Sequence, residues 1–207
     1  MPGELASLVT PWRAALVTSE IQNGLLGESS AFPELAKAAR QSMIPAAARL
    51  AKGARVVGVQ VVHCTYQHRP DLKATNTNAR LFDVVRDSSM RFLPGSADAR
   101  VLPEVGAEPD DLVLTRTHGV GPMAGTDLDP ILRNLDLRTI IVAGVSVNVA
   151  ITNLVMDAVN RGYDVVLPHD AVCGVPADYA QAVIDNTLSL LATVTTVDDL
   201  VDIWAKM

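Results

Sequence analysis

The stretch Thr139–Leu167, TIIVAGVSVNVAITNLVMDAVNRGYDVVL, decides the fold. It opens with a β-branched run, Thr139–Ala143, that ends in a glycine. Apolar side chains then recur at helical spacing over Val147–Arg161, and Gly162 follows as a helix stop. Tyr163–Leu167 is again rich in valine and leucine. Strand, helix and strand in this order predict a βαβ unit with two parallel strands.

The same alternation runs along the rest of the chain. Further strands are predicted at Ala14–Val17, Arg55–Val62, Asp111–Thr115 and Thr193–Thr196. Helices are predicted at Pro33–Lys52, which Gly53 closes, at Thr126–Arg133, which the Thr126 hydroxyl caps, and at Pro176–Leu191 and Val197–Ala205. This order predicts an α/β three-layer fold, with a central, mostly parallel sheet of about six strands and helices on both faces. We expect a single domain over residues 1–207.

The stretch from His63 to Ala107 interrupts this regularity. It contains three prolines and shows helical spacing only at Asn78–Arg86 and Ser96–Arg100. We therefore predict a long loop with two short helical pieces. Loops of this length inside a compact domain often carry function.

Composition excludes several classes of protein. Apolar residues make up 49% of the chain and aromatic residues 4%, and the formal net charge is −6. Such a balance, without a basic stripe, argues against nucleic-acid binding. Met1–Trp12 lacks the pattern of a signal peptide, and no apolar run reaches the ~18 residues of a membrane span. We expect a cytoplasmic protein with no membrane association.

Polar side chains follow the predicted strands at their carboxyl ends, where open parallel sheets bind ligands. They include Glu20, Gln22, Tyr66, Arg116, His118, Ser146 and, by this placement, all four histidines. Burial at a strand end would suit Glu20 to acid–base chemistry, but a structural ion pair with Arg116 is an equal alternative. The histidines lack the spacing of a metal site, so neutral rings bonded to the backbone are favoured over ligands, and no metal is expected.

The two cysteines, Cys64 and Cys173, are too few for a disulfide framework and begin no helix. We expect buried or half-buried thiols rather than nucleophiles. Ser146 follows Gly144, but Gly144–Asn148 lacks the second glycine of a nucleophile elbow, so its hydroxyl is expected to cap a helix.

Three segments together resemble the isochorismatase-like hydrolases. Ala15–Gly24, ALVTSEIQNG, is similar to their opening strand, in which an acidic residue precedes Gln-Asn. Leu114–Leu128 resembles the segment that holds the family's lysine, and Ile141–Ala150 the strand and helix start that bear its cysteine. The resemblance continues through Asp157-Ala158, Gly162-Tyr163 and Asp170-Ala171.

The resemblance implies an aspartate, a lysine and a cysteine as the catalytic residues of the family's amidases. The matching positions here are Glu20, Arg116 and Ala150, so all three depart from that pattern. Arginine stays protonated and favours planar, two-pronged pairing. A methyl group at position 150 cannot attack a carbonyl, which excludes a thioester there.

The isochorismatases proper do without the cysteine, because a carboxylic acid alone can protonate the enol carbon of a vinyl ether. By this resemblance Glu20 is the acid, Arg116 holds an anionic small-molecule substrate, and Ala150 leaves room for a ring. Further substrate contacts are expected from Gln22, Tyr66, His118, Val145 and Ser146.

The resemblance also implies a cis peptide near Val145-Ser146 and a homo-oligomer, which we expect to be a dimer or tetramer. Isochorismate is the candidate substrate, and no cofactor is expected. Two alternatives stay open. One is a catalytically inactive family member that binds a metabolite or a partner protein, and the other is metal-dependent hydrolysis through the histidines.

Overall fold

The structure, a computed structural model, describes residues 2–87 and 92–207. Its parallel sheet is formed by β1 (Ala14–Ser19), β2 (Gln60–Tyr66), β3 (Leu112–Arg116), β4 (Thr139–Val145), β5 (Asp164–Pro168), β6 (Val172–Cys173) and β7 (Thr193–Thr195). Six of these strands lie in the order β3-β2-β1-β4-β5-β7, and the short β6 pairs with β4. The predicted mostly parallel sheet is confirmed.

β1 and β4 lie side by side in the middle of the sheet, and every residue in them is buried. Leu16 and Ile141 contribute to the core on one face, while Val17 and Val142 contribute to the core on the other. Continuous apolar strands of this kind are typical of sheets covered on both sides.

Helices cover both faces, which confirms the three layers. The helices are α1 (Pro2–Leu8), α2 (Asn23–Leu26), α3 (Pro33–Gln41), α4 (Met43–Val57), α5 (Arg80–Asp87), α6 (Leu128–Asn134), α7 (Thr152–Asn160), α8 (Ala177–Asn186) and α9 (Val197–Trp204). α3, α4 and α9 pack on the Leu16 face, and α6, α7 and α8 on the Val17 face. A π-helical turn, Val147–Ile151, precedes α7, and 3-10 turns occupy His169–Ala171 and Leu188–Leu190.

The predicted helix Pro33–Lys52 is wrong in its bounds. The chain breaks at Ser42, whose φ and ψ of −141° and −52° are not helical, and α4 then runs through Gly53 to Val57. The stop is Gly58, which has a φ of 80° and whose amide donates to the carbonyls of Ala54 and Arg55. Only glycine adopts this left-handed geometry without steric cost, so Gly58 rather than Gly53 ends the helix.

The predicted strand Arg55–Val62 is correspondingly displaced. Arg55–Val57 belongs to α4, and β2 begins at Gln60 and continues through His63 to Tyr66. The valines at the end of α4 favour a strand by their intrinsic propensity, but tertiary packing outweighs this preference and keeps them in the helix.

The long segment after β2 holds one of its two predicted helical pieces, as α5. Ser96–Arg100 forms turns instead, because its carbonyls serve the chain after β1. The amides of Asn23 and Gly24 donate to the carbonyls of Arg100 and Asp98, at 3.1 and 2.9 Å. The predicted helix Pro176–Leu191 is likewise shorter, since α8 ends at Asn186 and a 3-10 turn follows.

The Thr126 hydroxyl accepts a hydrogen bond from the Leu128 amide at 3.2 Å, although the N-cap residue of α6 is Asp127. Across residues 2–87 and 92–207, every helix is too short or too polar to cross a membrane.

Candidate active site

A cavity of about 180 Å³ lies beyond the carboxyl ends of β1 to β4. Six predicted site residues line it: Glu20, Tyr66, Arg116, Val145, Ser146 and Ala150. The other walls are apolar except at Gly119, and are formed by Leu25, Phe32, Leu35, Leu81, Phe82, Phe92, Val120, Val149 and Val175. The catalytic positions expected from the resemblance are therefore brought together in one place.

Glu20 directly follows β1 and turns out of the sheet. Its φ is 57°, a left-handed conformation that costs a non-glycine residue roughly 1–2 kcal/mol. Its amide donates to the Cys64 carbonyl at 2.9 Å, which fixes the turn against β2. Outliers of this kind cluster at functional sites.

Arg116, the last residue of β3, lies across the cavity from β1 and is 8% exposed. Its Nη2 donates to Oε1 of Glu20, and its Nη1 donates to the carbonyls of His118 and Gly119 at 3.0 and 2.6 Å. The guanidinium also lies 5.0 Å from the Tyr66 ring centroid, in cation–π geometry. The backbone carbonyls and Tyr66 therefore hold the cation in place, and one of its nitrogens meets the carboxylate.

Burial raises the pKa of Glu20 above its ordinary value, although the charge and hydrogen bond of Arg116 act to lower it. Desolvation favours the neutral acid over the carboxylate. A raised pKa brings the carboxyl closer to the range in which it can donate a proton at neutral pH.

Ala150 lies in the π-helical turn after β4 and is 3% exposed. The amides of Val149 and Ile151 both donate to the Ser146 carbonyl, at 3.1 Å each. The Val145-Ser146 peptide bond is cis, as the resemblance implied. These contacts place the Ala150 methyl group against the cavity, opposite the side where Arg116 is anchored.

The aromatic wall of the cavity was not predicted. The chain has three phenylalanines, Phe32, Phe82 and Phe92, and all three line this cavity. Phe92 and Tyr66 pack edge to face, with ring centroids 5.8 Å apart. The sequence contained a signal for this wall. Aromatic residues are scarce in the chain, yet one phenylalanine lies just before α3 and the other two lie in the long segment after β2.

Two predicted substrate-binding residues do not line the cavity. Gln22 is fully buried and clamps the backbone: its Oε1 accepts from the Tyr66 amide at 2.7 Å, and its Nε2 donates to the carbonyls of Tyr66 and Ala99. His118 contributes its carbonyl to Arg116, while its ring faces a separate polar depression beside Gly125. Both residues thus lie outside the cavity wall, one bonded to the backbone and the other to Arg116 through its carbonyl.

The prediction that all four histidines share one rim is also wrong. His63 lies inside β2 and is fully buried, with Nδ1 2.8 Å from the Thr18 hydroxyl and Nε2 3.2 Å from Asp111. Because β2 starts and ends later than expected, His63 lies within the strand and not in the loop that follows it. In the described ranges, His, Cys, Asp and Glu side chains form no group of three that could hold a metal ion.

Both cysteines are free thiols, Cys64 buried and Cys173 half-buried, as expected. Burial raises the pKa of Cys64 to about 12, so this thiol beside the site stays protonated. A protonated thiol is a poor nucleophile.

Comparisons with known proteins identify the family of this chain. The isochorismatase domain matches residues 14–199. The isochorismatase family protein YecD of Escherichia coli O157:H7 is 27% identical over 112 residues, 50% of this chain and 59% of YecD. The ureidoacrylate amidohydrolase RutB of Agrobacterium fabrum is 27% identical over 106 residues, 51% of this chain and 46% of RutB. The chain thus spans about half the length of the curated relatives it matches.

Among solved structures, a cysteine hydrolase from Pseudomonas syringae pv. phaseolicola 1448A has the same fold, with a TM-score of 0.83 at 22% identity. The superposition covers 96% of this chain and 95% of that one. With the domain match extending over nearly the whole sequence, the chain belongs to the isochorismatase family.

Proposed function

We propose that this protein is a hydrolase of a small molecule that cleaves a vinyl ether, or a related C–O bond, by acid chemistry without a cysteine nucleophile. Glu20 is the proton donor and Arg116 the anion-binding group. The observation that carries the proposal is that the largely buried Glu20 carboxyl lines the same apolar cavity as Ala150, the position that by resemblance matches the family's cysteine.

The geometry of the ion pair supports this role. One nitrogen of Arg116 meets one oxygen of Glu20, and the other guanidinium bonds go to backbone carbonyls. A closed two-pronged pair, which would engage both carboxylate oxygens, is not what these contacts describe. A pair through one oxygen leaves the carboxyl able to accept a proton on the other, as the proposed role requires.

The proposed reaction needs three steps. Glu20 transfers its proton to the enol carbon of the vinyl ether, and the oxygen lone pair stabilises the resulting oxocarbenium ion. Water then adds to this cation, and the proton that it releases returns to Glu20, which leaves a neutral hemiketal. The hemiketal finally breaks its C–O bond: its hydroxyl proton passes to the leaving oxygen, which departs as an alcohol, and a ketone remains. General acid catalysis of this kind contributes about 10²–10⁴-fold.

A second candidate function is a non-catalytic family member that binds a metabolite or a partner protein. The ion pair between Glu20 and Arg116 favours it, because a carboxylate held ionised by an arginine is not an acid.

Turnover of a panel of substrates tests the two candidates. Wild-type protein, Glu20→Gln and Ala150→Cys are assayed on isochorismate, on other vinyl ethers with a ring, and on small amides. We expect the wild type to hydrolyse vinyl ethers, Glu20→Gln to lose this activity, and amides to be inert with both proteins.

Ala150→Cys tests whether the site lacks only the cysteine nucleophile. Amide hydrolysis by this variant would show that the rest of the site can still act as a hydrolase. Glutamine keeps the size and polarity of Glu20, so a folded, inactive Gln variant assigns the acid. If no protein in the set, including Ala150→Cys, turns over any substrate, the binding function replaces the hydrolase.

We also propose a single domain over residues 1–207, a cytoplasmic location, a homo-oligomer (dimer or tetramer) and no role for nucleic acid or a cofactor. These follow from composition and from the family resemblance. Sedimentation velocity of the purified protein tests the oligomer directly.

A further inference from the structure

We propose that the substrate is an aromatic or similarly apolar single-ring compound with one carboxylate, rather than a dicarboxylate such as isochorismate, and that its binding brings one proton onto Glu20. This inference deepens the proposed function and rests on it for the chemistry, but its binding step can be tested alone.

The ring follows from the walls of the cavity. All three phenylalanines of the chain and Tyr66 line it, together with leucine, valine and alanine side chains. Aromatic side chains attract other rings in edge-to-face geometry. A volume of about 180 Å³ suits one ring with a short side chain, since a cavity of about 150 Å³ with similar apolar walls is known to bind benzene.

The entrance can be located from exposure. Leu81 of α5 and Val149 of the π-helical turn line the cavity and are 38% and 37% exposed, whereas Phe92 is 1% exposed. A ring would thus enter between α5 and the turn and pack against Phe92.

The charges of the cavity wall indicate that the ligand has a single carboxylate. Among the lining residues within 2–87 and 92–207, only Glu20 and Arg116 carry a full charge. While both are ionised their charges cancel, so a ligand carboxylate would leave one net negative charge in apolar surroundings. Two carboxylates close together in such a site do not both stay ionised, and one of them takes up a proton.

Glu20 is the carboxyl that takes up this proton. Its burial already raises its pKa, and Arg116, its partner from β3, would then pair with the ligand. The Cys64 thiol of β2 stays neutral because burial raises its pKa to about 12, and the Tyr66 hydroxyl is 3.5 Å from the Thr75 hydroxyl. β4 and the π-helical turn contribute Val145, Ser146, Val149 and Ala150 to the cavity, none of which titrates.

The proton balance is simple. The free site holds ionised Glu20 and Arg116, the ligand arrives as an anion, and one proton comes from solvent. The complex then holds neutral Glu20, with Arg116 paired to the ligand carboxylate. Binding of the correct substrate would thus supply the general acid, Glu20, with the proton that the reaction needs.

Calorimetric titration with phenylacetate tests the proposal at pH 7.5, in two buffers of different ionisation enthalpy. The matched ligands are 2-phenylethanol, which is neutral, and homophthalate, which has two carboxylates. We expect uptake of about one proton per phenylacetate bound and none for 2-phenylethanol. Homophthalate should bind at least about tenfold more weakly than phenylacetate, because one arginine cannot neutralise two carboxylates.

Two further measurements make the result independent of any single variant. In the wild type, phenylacetate affinity should fall about tenfold per pH unit above the pKa of Glu20 in the free protein, whereas 2-phenylethanol affinity should not change. Glu20→Gln should bind phenylacetate without proton uptake. Phenylacetate binding without proton uptake in the wild type, equal affinity for homophthalate, or no phenylacetate binding at millimolar concentration would each overturn the proposal.

The outcomes distinguish this proposal from the hydrolase itself. Turnover of vinyl ethers without proton-linked binding of phenylacetate leaves the hydrolase standing and removes the substrate class. Proton-linked binding without turnover of any vinyl ether keeps the ligand class and favours the binding function.

Discussion

The ion pair of Glu20 and Arg116 governs both chemistry and stability at the scale of single residues. Their side chains are 16% and 7% exposed, so neither charge is well solvated. Removing one partner of a buried pair leaves an uncompensated charge, which is far more costly than removing both.

Arg116→Met should therefore lower the free energy of unfolding by about 3–5 kcal/mol at pH 8, where Glu20 would be left without its cation. Urea unfolding followed by circular dichroism measures this change. The double variant Glu20→Gln with Arg116→Met is the matched control and should recover part of the loss. If the double variant were as unstable as the sum of both single variants, the coupling between these residues would be absent.

The family resemblance predicted that Glu20, Arg116 and Ala150 lie together, because each occupies a motif position next to a strand end, and all three line the cavity. Gln22 and His118 have the same kind of placement, yet the Gln22 side chain accepts from the Tyr66 backbone amide and the His118 carbonyl accepts from the Arg116 guanidinium. Position after a strand puts a residue near the site. It does not say whether the side chain turns into the cavity or away from it, since that depends on local dihedral angles such as the φ of 57° at Glu20.

At the scale of elements, the close contact of β1 and β4 places the acid. Gly144 has a φ of 115°, and a Cβ there would lie 2.1 Å from the Ser19 carbonyl oxygen. Ser19 immediately precedes Glu20, so any displacement of this backbone moves the carboxyl as well.

Gly144→Ala should cost more than about 3 kcal/mol of stability and abolish activity, because the clash adds to the strained φ. Gly162→Ala is the matched control: its φ is 82°, but a Cβ there meets nothing within 4 Å. That variant should lose only about 1–2 kcal/mol and keep its activity. Thermal unfolding and vinyl-ether turnover measure both effects, and equal losses in the two variants would refute the close-approach explanation.

β2 contains a titratable group that bears on stability rather than catalysis. Burial lowers the pKa of His63, against the hydrogen bond to Asp111, which raises it. The native state thus holds a neutral ring, whereas an unfolded histidine titrates near 6.5. Its contribution is complete above about pH 6.5 and is lost as pH falls from there towards the lowered native pKa, because the unfolded state then binds the extra proton.

Urea unfolding of the wild type and His63→Gln between pH 7.5 and 5 measures this contribution. The wild type should lose stability relative to the variant as pH falls below about 6.5, by up to about 1.4 kcal/mol per pH unit. Taking the difference between the two proteins removes the opposite contribution of Glu20, whose raised pKa favours the native state on acidification. Parallel pH dependences would show that His63 is not held neutral.

For the molecule as a whole, the sheet was predictable and the cavity wall was not. β1 and β4 are buried throughout and contain the continuous apolar runs Ala14–Val17 and Ile140–Ala143, so their pattern dominates any local alternative. The sequence did not reveal the helix break at Ser42, because the alanines on both sides of it favour a helix. It did not reveal the late start of β2, because valines occur both at the end of α4 and in the strand. Phe32, Phe82 and Phe92 come from separate segments, and only tertiary folding brings them to one cavity.

The dependence of kcat/KM on pH, for the vinyl ether that turns over fastest, tests the central claim that buried Glu20 is the acid. Wild-type kcat/KM should fall as pH rises through the raised pKa of Glu20, because the carboxylate has no proton to donate. Glu20→Gln should be at least about 100-fold slower and should lack this pH dependence. A Gln variant with the wild-type rate and pH profile would contradict the account.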